Sequence, residues 1–280
     1  MEKAIKRYFP IFVLPTMIAF TLGFIIPFAE GVYLSFCKFT TVNDAKFIGL
    51  SNYAKVFKDS TFVHAFWYTA AFTVVSVILI NVLAFAVALL LTKGIKGTNV
   101  FRTVFFMPNL IGGIVLGYIW QLLLYGILMK FSRTLTYSSP FGFWGLVILM
   151  CWQQIGYMMI IYIAGIQNIP GELIEAAEID GATKRQVLKS VTIPMVMPSI
   201  TVCTFLTLTN SFKLFDQNLA LTNGEPSKMS EMLALNIFNT FYGRAGYEGV
   251  GQAKAVIFFI LVAAIALTQN YLTRRKEVQQ

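Results

Sequence analysis

The stretch FWYTAAFTVVSVILINVLAFAVALLL, from Phe66 to Leu91, carries no charged side chain over 26 residues. A helix of that length rises about 39 Å, more than the roughly 30 Å of a bilayer's hydrocarbon core. Further apolar runs flank it. One precedes it, from Ile11 to about Phe36, with Pro15 and Pro27 inside. Four follow: Val104 to Leu128, with Pro108; Phe143 to Ile166; Ile193 to Leu214, with Pro194, Pro198 and Lys213; and the shorter, uncharged Ala255 to Leu272. Proline and glycine are tolerated in such runs because neighbouring helices satisfy the freed backbone groups. The expected fold class is all-α: one polytopic membrane domain over residues 1–280 with six transmembrane helices (11–36, 66–91, 104–128, 143–166, 193–214 and 255–272). The first apolar run exceeds the usual signal-peptide core and no Ala-x-Ala-like site follows it, so it is expected to stay as a span.

Composition agrees. Apolar residues make up 57% of the 280 residues and charged residues 12%, against about 25% charged in a soluble domain. The 26 Phe, 12 Tyr and 4 Trp exceed what one soluble core buries, and a water-soluble fold of this kind would expose large apolar patches. The net charge of +9 does not point to nucleic acid, because the basic residues sit in short clusters between apolar runs. Cys37, Cys151 and Cys203 are odd in number and widely spaced, so neither a disulfide framework nor a zinc site is expected. The single histidine, His64, has no catalytic partner in a recognisable motif and reads as structural. No catalytic constellation, metal site or cofactor is expected, and the chain does not read as an enzyme.

Lys and Arg set the orientation. With the N-terminus in the cytoplasm, the inner segments 1–10, 92–103, 167–192 and 273–280 carry 12 basic residues in 56 positions. The outer segments 37–65, 129–142 and 215–254 carry 9 in 83. The clusters Lys3-Lys6-Arg7, Lys93-Lys96-Arg102 and Arg274-Arg275-Lys276 dominate the contrast. Both termini are expected in the cytoplasm.

The most informative segment lies between the fourth and fifth spans, residues 167–192. Pro170-Gly171 opens it. Glu172 to Ile179 reads as a short helix with acidic residues toward its N-terminal end, where the helix dipole favours them. Asp180-Gly181 breaks that helix, and a break of this kind often needs a positive φ. Ala182 to Val191 reads as a second helix carrying Lys184, Arg185 and Lys189, and Pro194 starts the fifth span. By composition alone this is a solvated connector. Its small-residue face, Ala176-Ala177, beside charged residues also suits a cytoplasmic partner.

The segment resembles the signature loop of permease subunits of binding-protein-dependent ABC importers, the EAA loop: Glu-Ala-Ala, three residues, Gly, nine residues, then Ile-x-Leu-Pro. Here Glu175-Ala176-Ala177 is followed by three residues, Gly181, nine residues and Val191-Thr192-Ile193-Pro194. Phe215-Asp216 with Leu221-Thr222-Asn223-Gly224-Glu225-Pro226 is similar to the Phe-Asp…Leu-Thr-Gly-Gly-Gly-Pro segment of carbohydrate permeases, especially the first of the paired sugar permeases. Asn223 and Glu225 replace two glycines there, and Asn tolerates the left-handed backbone. Phe47-Ile48-Gly49-Leu50-Ser51-Asn52-Tyr53 with Phe57, and Phe101-Arg102-Thr103 with Pro108, are weaker matches. The resemblance implies a coupling role for Glu175, Ala176, Ala177, Gly181, Lys184, Arg185 and Pro194. It also implies a second homologous permease, two cytoplasmic ATPase subunits, an extracellular or periplasmic solute-binding protein, a sugar substrate, and residence in a bacterial or archaeal inner membrane.

Independent of the resemblance, no Gly-x-x-x-x-Gly-Lys-[Ser/Thr] occurs, so energy must come from elsewhere, either an ion gradient or a separate ATPase docked on the cytoplasmic face; the resemblance implies the second, with ATP and Mg on partner subunits. Spans two, three, four and six, as bounded above, lack ionisable side chains, which argues against a proton-driven carrier; an ion-coupled carrier acting alone, an ABC permease for a non-sugar solute and a membrane enzyme are the other readings. A sugar path needs inward polar groups and aromatic faces. Candidates are Gln153, Gln154 and Tyr157 on span four, and Asn210, Ser211 and Phe212 on span five. Asn109, Tyr118, Trp120 and Gln121 on span three and Asp216 after span five complete the set. Asn210 and Gln154 lead, because amides in hydrocarbon need partners and so should face inward. Interhelical hydrogen bonds are the competing role for such groups. The spacing Gly113-x-x-x-Gly117 reads as close helix packing.

Overall fold

The computed structural model describes residues 2–274 and is almost wholly helical. In chain order the elements are α1 (Glu2–Phe20), a π-helical turn (Thr21–Ile25), α2 (Ile26–Leu34), β1 (Cys37–Lys38), β2 (Lys46–Phe47), α3 (Ser51–Lys58), α4 (Ser60–Leu91), α5 (Thr98–Phe106), α6 (Gly113–Leu128), α7 (Ser139–Gln167), α8 (Gly171–Ile179) and α9 (Lys184–Val187). After a second π-helical turn (Leu188–Thr192) come α10 (Ile193–Met195), α11 (Met197–Phe212), α12 (Asp216–Leu221), α13 (Leu233–Gly243) and α14 (Glu248–Arg274). Arg275 and Lys276, and the side chains of Lys3, Lys6, Arg7 and Arg274, lie outside the described residues. Among the described residues, five helices are long and apolar enough to cross a membrane. A sixth span results if the segments Lys184–Met195 and Met197–Phe212, bent by 69°, count as one.

Two apolar runs differ from their expected form. Val104 to Leu128 is two helices: α5 ends at Phe106, a 3-10 turn over Met107–Leu110 contains Pro108, and α6 starts only at Gly113. The fifth run breaks at Val196, between Pro194 and Pro198. Pro198 has no N–H to give the Pro194 carbonyl, so the helical ladder lapses where the bend occurs. The last helix begins seven residues before the expected span and so takes in Lys254.

The chain groups into two compact units. The larger takes Thr61–Asn236 and the residues from Leu261 on. Its centre is α7: two-thirds (67%) of its most apolar window is buried, the largest share of any span. Met150, Met158, Met159 and Tyr162 of α7 pack with Phe72, Ile80, Ala84 and Ala88 of α4 and with Leu116 of α6. Inside this apolar layer a polar thread joins three helices. Tyr162 OH donates to Asn81 Oδ1 at 2.6 Å, and Asn81 Nδ2 donates to Thr207 Oγ1 at 2.9 Å. Gly156 on α7 lets the backbone of α5 lie directly against it, since a Cβ there would collide with Phe105 and Phe106 main-chain atoms.

The smaller unit takes the residues up to Ser60 with Ile237–Ile260. None of the apolar window of Ile11–Leu34 is buried, as suits a helix facing lipid. At its end the chain turns into the β1–β2 hairpin, with Cys37 opposite Phe47. The Asp44 carboxylate accepts from the N–H groups of Thr40 and Thr41, which hold its pKa below the ordinary value. Buried Asn52 explains the Phe-x-Gly-Leu-x-Asn-Tyr run: its Nδ2 donates to the carbonyls of Ser35 and Cys37 at 2.9 and 2.8 Å, and Tyr53 OH pairs with Ser35 Oγ at 2.7 Å. Lys254, fully buried, forms an ion pair with Asp59 Oδ2 at 2.8 Å and donates to Thr240 Oγ1 at 2.8 Å.

Candidate translocation cavity and coupling loop

A polar cavity of about 470 Å³ opens within the larger unit. It is built where three breaks in apolar helices converge. The first is the turn between α5 and α6, which brings Asn109. The second is the end of α11, which brings Asn210, Lys213 and Leu214. The third is α12, with Phe215, Asp216 and Gln217 at its start. Gln153, Gln154 and Met150 of α7 form the opposite wall. A backbone leaving helical geometry at membrane depth needs protein or a polar cavity around it, and this arrangement supplies both.

The carboxamides are mutually tethered. Gln217 Nε2 donates to Gln153 Oε1 at 2.8 Å, and Gln153 Nε2 donates to the Ile111 carbonyl at 3.4 Å. Asn210 Nδ2 reaches Gln154 Oε1 at 3.4 Å, a long and therefore weak bond. Ser211 Oγ, beside Asn210, is buried with no hydrogen-bond partner. The set holds donors and acceptors in pairs that can be exchanged for a ligand's hydroxyls at small net cost. It contains no nucleophile with a base beside it, and no group of three or more metal-ligating side chains occurs among the described residues.

Of the expected path residues, Asn109, Gln153, Gln154, Asn210 and Asp216 meet in this cavity, and Tyr118, Trp120, Gln121, Tyr157, Ser211 and Phe212 do not line it. Phe212 is 3% exposed and packed inside, Trp120 stacks edge-on with Trp152, and Tyr157 tilts against Phe106. Lys213, Phe215 and Gln217 join the cavity unannounced. Their signal was the polar run Asn210-Ser211…Lys213…Asp216-Gln217-Asn218, placed partly in a span and partly in an outer loop when read as sequence.

What seats α12 is the glycine spacing on α6. A Cβ on Gly113 would stand 2.7 Å from Asp216 Cβ, and one on Gly117 would stand 2.6 Å from Ala220 Cβ. One turn further on, Gln121 Nε2 donates to the Leu221 carbonyl at 3.1 Å. The loop beyond α12 is organised by Asn218, which is wholly buried. Its Nδ2 donates to Thr222 Oγ1 and to the Ser230 carbonyl, and its Oδ1 accepts from Met232 N–H at 2.9 Å. Asn223 (φ 49) and Gly224 (φ 80) turn the chain through the left-handed region.

The segment 167–192 forms two short helices joined by an elbow. Helix α8 has no buried residue, and Ile179 at its end is 85% exposed. Gly181 takes φ 79, its N–H donates to the Glu178 carbonyl, and Ala182 N–H donates to the Ala177 carbonyl at 2.9 Å. This is a Schellman cap, in which the left-handed residue sits four positions after the capped carbonyl. The spacing from Ala177 to Gly181 is that geometry written in sequence. One residue later Thr183 opens α9 with a capping box: its N–H donates to Gln186 Oε1 at 2.8 Å and its hydroxyl accepts from Gln186 N–H. Glu175, Ala176, Lys184 and Arg185 are exposed, and Ala177 and Pro194 are half-buried.

Residues 84–278 match the protein family described as "Binding-protein-dependent transport system inner membrane component". The chain is 43% identical over 277 residues, 96% of its own length and 94% of the other's, to a "Probable starch degradation products transport system permease protein" of Thermoanaerobacterium thermosulfurigenes. It is 29% identical to the "Multiple sugar-binding transport system permease protein" of Streptococcus mutans, covering 99% of both chains. In fold it is similar to a chain of a bacterial ABC transporter that imports the acidic polysaccharide alginate, with TM-score 0.82, 21% identity and 98% of both chains covered.

Proposed function

The chain belongs to the inner membrane components of binding-protein-dependent transport systems, and from that membership we infer that it is the sugar-type permease of an ATP-driven importer, forming half of a translocation path. The relatives described as permeases for starch degradation products and for multiple sugars support a carbohydrate substrate. The observation that carries the reading is the pairing, in one unit, of a polar cavity with an exposed helix ending in a fixed elbow. In this reading a solute-binding protein presents a sugar on the outer face, and the carboxamides of Gln153, Gln154, Asn210 and Gln217 exchange their mutual bonds for its hydroxyls. A second, homologous permease completes the path.

Energy comes from two ATPase subunits that bind ATP and Mg on the cytoplasmic side. Their closure is delivered to the membrane through α8. An exposed apolar end (Ile179) beside Glu175 and Arg185 suits a groove-docking helix. The elbow keeps α8 and α9 at one angle, so α9 and the fifth span are pushed as a lever. In this reading both termini lie in the cytoplasm and segment 167–192 is on the ATPase side, as the inner excess of basic residues supports.

The test is reconstitution of the chain with its co-purifying subunits into vesicles. Labelled malto-oligosaccharide uptake should require both ATP inside the binding-protein-free compartment and the binding protein on the other side. Uptake by the chain alone, driven by an ion gradient, would replace this reading with a secondary carrier.

A further inference from the structure

An apolar cleft of about 270 Å³ lies at the junction of α6 and α7, apart from the polar cavity. Leu124 and Leu128 of α6 and Pro140, Phe141, Trp144 and Ile148 of α7 line it, with Leu135 at its base. Its walls are almost entirely hydrocarbon, yet the segment that closes it is cationic. Lys130 follows Leu128 by two residues, and Arg133 precedes Leu135 by two. Arg133 is held in place: its guanidinium lies 4.0 Å from the centre of the Tyr137 ring, and Tyr137 meets Phe141 of the cleft edge-on at 6.2 Å. Neither cation is paired with a carboxylate among the described residues. The sequence has no Asp or Glu between Asp59 and Glu172, so none is supplied by α4, α5, α6 or α7. The same mouth is the N-terminal end of the 29-residue helix α7, whose dipole also favours an anion.

We propose that this cleft is a binding site for an anionic phospholipid, one acyl chain seated between α6 and α7 and the headgroup phosphate met by Arg133 and Lys130. The inference rests on the chain being a membrane subunit and not on its substrate. Charge complementarity selects the occupant: a partner's apolar helix would fill the groove and leave Arg133 and Lys130 unanswered, whereas a phosphate answers them with charge-assisted hydrogen bonds at the headgroup level. Trp144, half exposed on the cleft wall, and Tyr137 occupy the interfacial position typical of aromatic anchors.

Trp144 also supplies the readout. The full-length chain, in the assembly with which it co-purifies, is placed in zwitterionic bilayers and titrated with phosphatidylglycerol or phosphatidylcholine carrying dibrominated acyl chains. The difference in quenching between the parent and Trp144→Phe isolates the Trp144 signal. The expected result is half-maximal quenching at a roughly fivefold or greater lower mole fraction of brominated phosphatidylglycerol, a preference that Lys130→Gln with Arg133→Gln abolishes. Both substituted residues are exposed, so the variant should fold. Equal quenching by the two lipids in the parent, unchanged in the double variant, would mean annular solvation only. No quenching of Trp144 by either lipid in the assembly would mean that a partner helix fills the cleft. Either result overturns the proposal.

Discussion

Gly117 of α6 faces Ala220 of α12 so closely that a methyl group at Gly117 would come within 2.6 Å of the Ala220 Cβ. The contact sets the position of α12 and therefore of the Asp216 and Gln217 side chains that border the polar cavity. Gly117→Val should insert and express, because the overpacking costs about 1–3 kcal/mol in a bundle of many helices. Sugar uptake should fall at least about tenfold as α12 is displaced, the effect of the same energy applied to the site. Gly126→Val, on the same helix with no atom within 4 Å of the added Cβ, is the control. Normal uptake in Gly117→Val, measured beside that control, would separate α12 from the path.

Asn210→Ala and Gln154→Ala remove the two ends of the 3.4 Å amide contact across the cavity. Each is expected to raise the half-saturating sugar concentration about three- to tenfold, the equivalent of one hydrogen bond of roughly 1 kcal/mol. Subunit assembly, followed by co-purification, should stay intact. Wild-type uptake in both variants would assign these amides to packing.

Gly181 at φ 79 allows the cap on α8. A β-branched residue there costs about 1–2 kcal/mol or leaves the left-handed region altogether. Gly181→Val should therefore insert normally yet lose the ATPase subunits or the binding-protein-stimulated ATP hydrolysis, and Glu175→Lys should do the same by reversing charge on the exposed face. Gly171→Ala, at the start of α8 with open space around its added methyl, should be silent. Full assembly and stimulated hydrolysis in Gly181→Val and Glu175→Lys would reduce the segment to a connector.

Asn218→Ala leaves the Met232 N–H and the Ser230 carbonyl buried without their side-chain partner. The expected loss is about 2–4 kcal/mol, from two unsatisfied groups at roughly 1–3 kcal/mol each, partly relaxed. Thermal unfolding in detergent should show a clearly lowered midpoint. An unchanged midpoint would mean that the loop holds itself through Thr222 and Gly224 alone.

If the C-terminus is cytoplasmic, as proposed, a cysteine replacing Glu277 should resist an impermeant reagent applied outside, while one replacing exposed Met229 should react. Cys37, Cys151 and Cys203 are all buried, so background labelling should be low even before they are replaced. Labelling at residue 277 from outside would invert the topology.

The charge-free runs that became α4 and α7 were legible because nothing but lipid or a dense core accepts so many apolar residues in sequence. The elbow at Gly181 was legible for a different reason: a Schellman cap fixes the distance between a carbonyl and a left-handed residue, so spacing alone reports it. The cavity was only half legible. Gln153, Gln154 and Asn210 stand out as amides in apolar helices, but α12 is six residues long and polar at its start, too short for any periodicity to show. Its docking depends on Gly113 and Gly117, whose spacing reads as close packing without naming the partner. Lys254 was read as an outer-loop residue because its counter-charge lies 195 positions away, a separation that no local pattern encodes.

That separation constrains how the protein is made. The smaller unit draws on residues up to Ser60 and on Ile237–Ile260, so its earlier segment cannot complete the unit until the later one has left the ribosome. Asp59 is laid down early; Lys254, the cation that meets it, enters last and carries a charge that hydrocarbon resists unless a partner is waiting. Pairing of the two charges therefore waits until the second segment of the unit has been made.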